Sequence, residues 1–176
     1  MNKKFQLSGF FILFSLALSA ILVAGCSREQ EIVLPTETTE ITIPFETIEK
    51  SEEPVTGEYY EGSEPKLVVI TKIEDIDTLG NTISTNAQER LRNLDYNQQI
   101  AIVVFQSDHI DWIGIEIQRV TLKNNLVMIE ADITERNPEY EFLDTKLSPY
   151  HVISIPKAGL EQETTFELII SYVPQQ

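Results

Sequence analysis

Residues 66–176 predict a mainly β, α+β domain: an antiparallel sheet or small β-sandwich of about six strands with one short helix. Three observations predict it. Gln99-Ile100-Ala101-Ile102-Val103-Val104-Phe105 is an almost continuous apolar run, the pattern of a central strand buried on both faces. Ile113, Ile115 and Ile117 alternate with Gly114, Glu116 and Gln118, the pattern of a strand buried on one face. Helical spacing occurs in one short segment, and strand patterns separated by turn-type connections favour antiparallel layers. About a hundred residues are enough for one small domain with one core.

Taken in order, Lys66-Leu67-Val68-Val69-Ile70-Thr71-Lys72-Ile73 reads as the first strand. Thr85-Asn86-Ala87-Gln88-Glu89 reads as a helix start, because Thr85 and Gln88 have capping-box spacing. Ala87, Leu91 and Leu94 then fall on one face of a helix ending near Asp95. After the apolar run at 99–105 and the alternating strand at 113–118, the apolar phase shifts to Val120 and Leu122, which predicts a bulge near Arg119. Lys123-Asn124-Asn125 predicts a hairpin turn, since asparagine tolerates the left-handed backbone such turns require. The return strand runs from Leu126 to Ile133. Residues 134–149 are polar and irregular, long for a connection, and therefore a candidate functional loop. Tyr150–Ile155, closed by Pro156, and Thr164–Val173 complete the strands.

Two segments precede this domain. Residues 1–25 place Lys3 and Lys4 before an apolar run, Phe10–Ala24, interrupted only by Ser15 and Ser19, the pattern of an export signal. The run ends in Val23-Ala24-Gly25-Cys26, which resembles the lipobox of a bacterial lipoprotein signal peptide. Ala24 and Gly25 supply the small side chains that flank the scissile bond, and Cys26, the one cysteine, supplies the thiol that is alkylated. The resemblance implies cleavage before Cys26, acylation of that residue, and attachment to the extracytoplasmic face of a bacterial membrane. An uncleaved membrane helix and an ordinary secretory cut remain as alternatives. The run is short of the ~20 residues a span needs, and a plain anchor has no use for the cysteine. With Cys26 acylated, no thiol is left for a disulfide or for thiolate chemistry.

Residues 26–65 read as an acidic tether rich in Thr, Glu and Pro. Eleven glutamates face two basic residues, Arg28 and Lys50, between Ser27 and Glu64, with Pro35, Pro44 and Pro54 interspersed. Such a tether spans ~35 Å as a coil and ~130 Å extended. Tyr59 and Tyr60 near its end either cover the edge of the domain or dock a partner. The formal charge is −15, and loss of Lys3 and Lys4 with the signal takes it to −17. That balance excludes a nucleic-acid partner, for no basic stripe remains to neutralise phosphates, and it excludes a polybasic lipid patch.

Motifs for catalysis are sparse. His109 lies in Ser107-Asp108-His109-Ile110-Asp111, but adjacent residues point in different directions and do not converge as metal ligands. His151 alternates with Ile153 and Ile155, opposite Tyr150 and Val152, as a packed, hydrogen-bonded histidine would. No Gly-x-Ser-x-Gly elbow and no phosphate-binding glycine loop occurs. Neither a cofactor nor a metal is expected. Trp112, the sole tryptophan, falls in a loop, either as a binding anchor or as a seal on one end of the core.

The order of these elements, and above all Pro149-Tyr150-His151-Val152-Ile153-Ser154-Ile155-Pro156-Lys157, resembles the C-terminal domain of the protease complex subunit PrcB family, small bacterial lipoproteins linked to stabilising a surface protease. The likeness spans roughly residues 66–172. The family's Thr-Gly-Gly-Tyr loop is replaced here by Ile110-Asp111-Trp112-Ile113, which lacks the freedom of paired glycines. The resemblance implies a non-catalytic accessory subunit anchored to the bilayer through Cys26 and binding a protein partner such as a surface protease. Asp111, Trp112, Tyr150 and His151 are the candidate contact residues, within or beside loops 107–114 and 134–149. A binding-loop protease inhibitor and an envelope enzyme stand as alternatives.

Overall fold

The computed structural model describes residues 39–51, 60–107, 112–137 and 149–175. The described residues are mainly β and contain eight strands: β1 (Ile41–Thr42), β2 (Glu46–Ser51), β3 (Lys66–Ile70), β4 (Gln99–Phe105), β5 (Trp112–Lys123), β6 (Leu126–Glu135), β7 (Tyr150–Pro156) and β8 (Thr165–Pro174). A 3-10 helix, Ile73–Leu79, and one α-helix, α1 (Thr85–Arg92), lie between β3 and β4. The strands form two four-stranded sheets, ordered β1-β5-β6-β8 and β2-β7-β4-β3.

Two hydrophobic cores explain the sequence patterns. Between the sheets, Ile100, Ile102, Val104, Ile153 and Ile155 pack against Ile115, Ile117, Val120, Ile129 and Ile133. On the far face of the second sheet, Ala101, Val103, Phe105 and Val152 pack against Ile76, Leu79, Ile83, Ala87 and Leu91 from the helical segments. β4 and β7 are therefore covered on both sides, and their near-continuous apolar runs follow from that. The first sheet turns its apolar face to the first of these cores. Its other face carries polar pairs such as Arg119–Glu130, cross-strand partners at 2.6 Å.

Two local expectations hold in detail. Asn124 and Asn125 have φ of 51° and 60°, the two left-handed residues of a tight I′-type hairpin joining β5 to β6. The register of that pair slips between Ile117 and Arg119, so the bulge lies where the apolar phase changes.

Other elements differ. Eight strands replace about six, because β1 and β2 lie within 26–65, the stretch read as tether; the folded domain therefore begins ahead of residue 66. β2 is an edge strand that buries only Ile48 deeply, so its sequence, Glu-Thr-Ile-Glu-Lys-Ser, looks like solvated chain. β8 pairs in parallel with β6, which makes the first sheet mixed rather than antiparallel. The chain leaves β6 for β7 in the other sheet and returns, and that double crossing restores its direction.

Helix α1 starts at Thr85, as the sequence reads, but its cap differs. Ser84, not Thr85, is its N-cap, and the Ser84 Oγ accepts from the Ala87 N–H at 2.9 Å. The Gln88 side chain donates to the Gly80 carbonyl and does not close a capping box. The 3-10 turn starts at Ile73, inside the segment read as strand. The Asp75 carboxylate folds it back by accepting from the N–H groups of Thr71 and Lys72.

Candidate functional site

Of the residues singled out in the sequence, Cys26, Val23, Ala24, Gly25, His109 and Asp111 lie outside the described residues. So do residues 52–59, including Tyr59, and most of the long loop, 138–148. Tyr60 is described: its ring packs against Phe105 at 5.6 Å between centroids, and its hydroxyl donates to the Glu64 carbonyl. It covers the edge of the second core.

Tyr150 and His151 are not surface contacts. Tyr150 is 0% exposed and His151 2%, because β7 is sandwiched between the two cores. Reading them as partner-binding residues is therefore corrected. The His151 Nδ1 accepts from the Ile117 N–H at 2.8 Å, and Nε2 faces the Thr47 Oγ1 at 3.0 Å. An acceptor at Nδ1 places the ring proton on Nε2, which donates to Thr47. Burial pushes the imidazole down to about 4; Glu116 opposes this, and Lys50 adds to it. This neutral ring staples β7 to the bulge of β5, across the sandwich.

The Tyr150 hydroxyl donates to the Glu49 Oε1 at 2.5 Å and accepts from the Ser84 N–H at 2.9 Å. Ser84 Oγ also donates to Glu49 Oε1, and Asn86 Nδ2 donates to Oε2 at 2.7 Å. Burial raises the Glu49 carboxyl, but hydrogen bonds from Ser84, Tyr150 and Asn86, with the Arg90 charge, outweigh it and hold it below its ordinary range. Burial and the Glu49 contact raise the Tyr150 phenol. A carboxylate held this way is a poor base, and Ser84 is already committed at the helix cap. The network clamps β2, β7 and α1 together.

Among the described residues, no group of three or more His, Cys, Asp or Glu side chains converges as a metal site. No helix there is long and apolar enough to cross a membrane. A half-open cleft of about 450 Å³ lies at one end of the sandwich, with Ile100, Leu160 and Phe166 among its walls. Its polar rim is engaged internally: Lys157 Nζ with the Tyr96 carbonyl at 3.3 Å, and Glu161 with Asn125 Nδ2 at 2.7 Å.

Trp112 packs against the core between the sheets and seals part of it. It opens β5 half-buried, and its ring lies 5.1 Å from that of Tyr172 on β8, tilted by 41°. Gln106, wholly buried, holds it in place. Its Nε2 donates to the Trp112 carbonyl at 2.6 Å, while its backbone N–H donates to the Pro149 carbonyl. Tyr172 is 49% exposed, and Ile169, on the same strand, 39%. Half-exposed aromatic side chains of this kind are the typical anchors of binding hot spots. Sequence reasoning missed Tyr172. Its signal was the alternation Phe166, Leu168, Ile170, Tyr172, which marks a strand whose last apolar residue lies at the rim.

Comparison of the chain with family models, curated proteins and solved structures gives no match in any of the three.

Proposed function

We propose that the chain is a lipid-anchored, non-catalytic protein-binding subunit on the extracytoplasmic face of a bacterial membrane, which stabilises a partner such as a surface protease or protease complex. The observation that carries the reading is the Trp112–Tyr172 pair, held at the surface by a buried glutamine beside the exposed strand β8. An aromatic pair offers large contact area at low entropic cost. Acylation of Cys26 supplies the anchor, since two or three chains hold a protein stably where one does not. With β1 starting at Ile41, about fourteen residues separate Cys26 from the first strand. Covalent geometry limits their reach to ~50 Å, so the domain works closer to the bilayer than a tether to residue 65 would allow.

The test has two parts. Fatty-acid labelling of cells should mark the wild type and not Cys26→Ala. A photocrosslinking residue at position 172 should capture a discrete protein, and Trp112→Ala in the same chain should weaken that capture at least fivefold without unfolding the domain. Failure to label the wild type refutes the anchor; absence of any crosslinked protein refutes the binding role.

A further inference from the structure

We infer that the outer edge of β8 takes up an extended segment of a partner protein, with alternating apolar and basic residues, as a ninth strand of the described domain. The inference rests on the binding role proposed above and names how the partner is held.

Four strands end the two sheets, and an exposed edge invites pairing unless something blunts it. Three of the four are blunted. β1 is two residues long. β2 carries Glu46, Glu49 and Lys50 and has a register break between Thr47 and Glu49. β3 is five residues long and opens on Lys66. β8 has none of these devices over its pairing length. It runs ten residues, keeps unbroken register with β6, holds one side chain charged at neutral pH, Glu167, and meets proline only at its last position, Pro174.

The direction of its free groups follows from two hydrogen bonds. The Thr165 N–H donates to the Asn125 carbonyl and the Gln175 N–H to the Glu135 carbonyl, so odd-numbered residues of β8 face β6. By alternation, the N–H and C=O groups of Phe166, Leu168, Ile170 and Tyr172 face outward. No strand pairs with them among the described residues. Four consecutive outward-facing residues are enough to seat a strand through main-chain bonds.

The two faces specify the guest. Phe166, Leu168 and Ile170 turn their side chains toward the core between the sheets and are only partly buried, so a neighbouring strand extends that core with apolar residues. On the opposite face the guest lies beside Glu167, Ile169 and Ser171, on a chain of formal charge −15, which favours cations there. The same charge opposes pairing with a second copy.

The experiment uses the full chain in detergent and two labelled ten-residue probes, alternating Lys/Val and alternating Glu/Val. The Lys/Val peptide should bind, and the Glu/Val peptide at least tenfold more weakly. Ile170→Pro removes one outward N–H without changing charge, and Ile169→Lys places a cation on the exposed face; each should weaken Lys/Val binding at least tenfold. Glu89→Gln, an equal charge change on the exposed side of α1, should change it less than twofold. If Ile170→Pro does not fold, Ile169→Lys decides. Equal binding by all variants means diffuse attraction and overturns the inference. So does a dimer of the free chain by sedimentation, or slow amide exchange at 168, 170 and 172 in the free monomer, which means the chain's own residues already fill the edge. If the edge fails while position 172 still crosslinks a partner, only this mode of docking is lost. If the edge binds peptide while no partner is ever captured, the accessory role is lost and the edge site stands.

Discussion

Acidification should destabilise the domain through His151 before Glu49 or Asp75 contributes. In the folded chain the ring is neutral, accepting from the Ile117 N–H, and burial lowers its pKa from 6.5 to about 4. The unfolded chain therefore binds a proton at higher pH than the folded one. The staple's contribution is fully present above about 6.5 and is lost as pH falls toward about 4. At about 1.36 kcal/mol per pH unit, lowering the pH from 7.5 to 4.5 removes about 2.5 kcal/mol. Urea unfolding over that range should move the midpoint by roughly 1–2 M. Glu49 and Asp75, whose pKa values are lowered from 4.5 and 3.8, begin to add their losses only as pH nears those unfolded-chain values, so the upper part of the window belongs to the histidine. His151→Gln keeps one acceptor and one donor but no titration, and its stability should be nearly flat from about pH 7.5 to 5. A variant that loses stability with the same slope as the wild type would show that the ring is not the titrating group.

Two further outcomes test the packing. Tyr150→Phe leaves the Ser84 N–H and one Glu49 oxygen short of a partner at a half-buried site, and should cost about 1–3 kcal/mol in urea unfolding; a change below about 0.5 kcal/mol would mean that water replaces the hydroxyl. Asn124→Val forces a β-branched side chain to φ of 51° and should cost about 1–2 kcal/mol, whereas Asn124→Gly should be nearly neutral; equal losses would point to a lost side-chain contact and not to the backbone.

Local features of this chain were legible because their causes are local. The run at 99–105 is apolar because both faces are covered, and Asn124-Asn125 turns because its residues tolerate positive φ. The bulge shows itself as a change of phase between Ile117 and Val120. The alternation that puts His151 with Ile153, opposite Val152, also holds. In the candidate site Trp112 was legible as a residue at one end of the core, where it is half-buried and packs against the cluster between the sheets. Tyr150 and His151 drew attention as a motif, and a motif does not say which side of a sheet is covered.

The sequence by itself determined the mainly β class, the central strands, the hairpin and the short helix, because periodicity and turn chemistry act over a few residues. Tertiary structure alone decided that Glu46–Ser51 is a strand, that β8 runs parallel to β6, and that no other strand among the described residues pairs with the outer edge of β8. It also decided that His151 meets Thr47, 104 positions away, and that Tyr150 meets Glu49, 101 away. The physical reason is common to all of these. An edge strand keeps a polar sequence because half of it stays in water, and a hydrogen-bond partner supplied by a distant strand leaves no trace in the residues beside it.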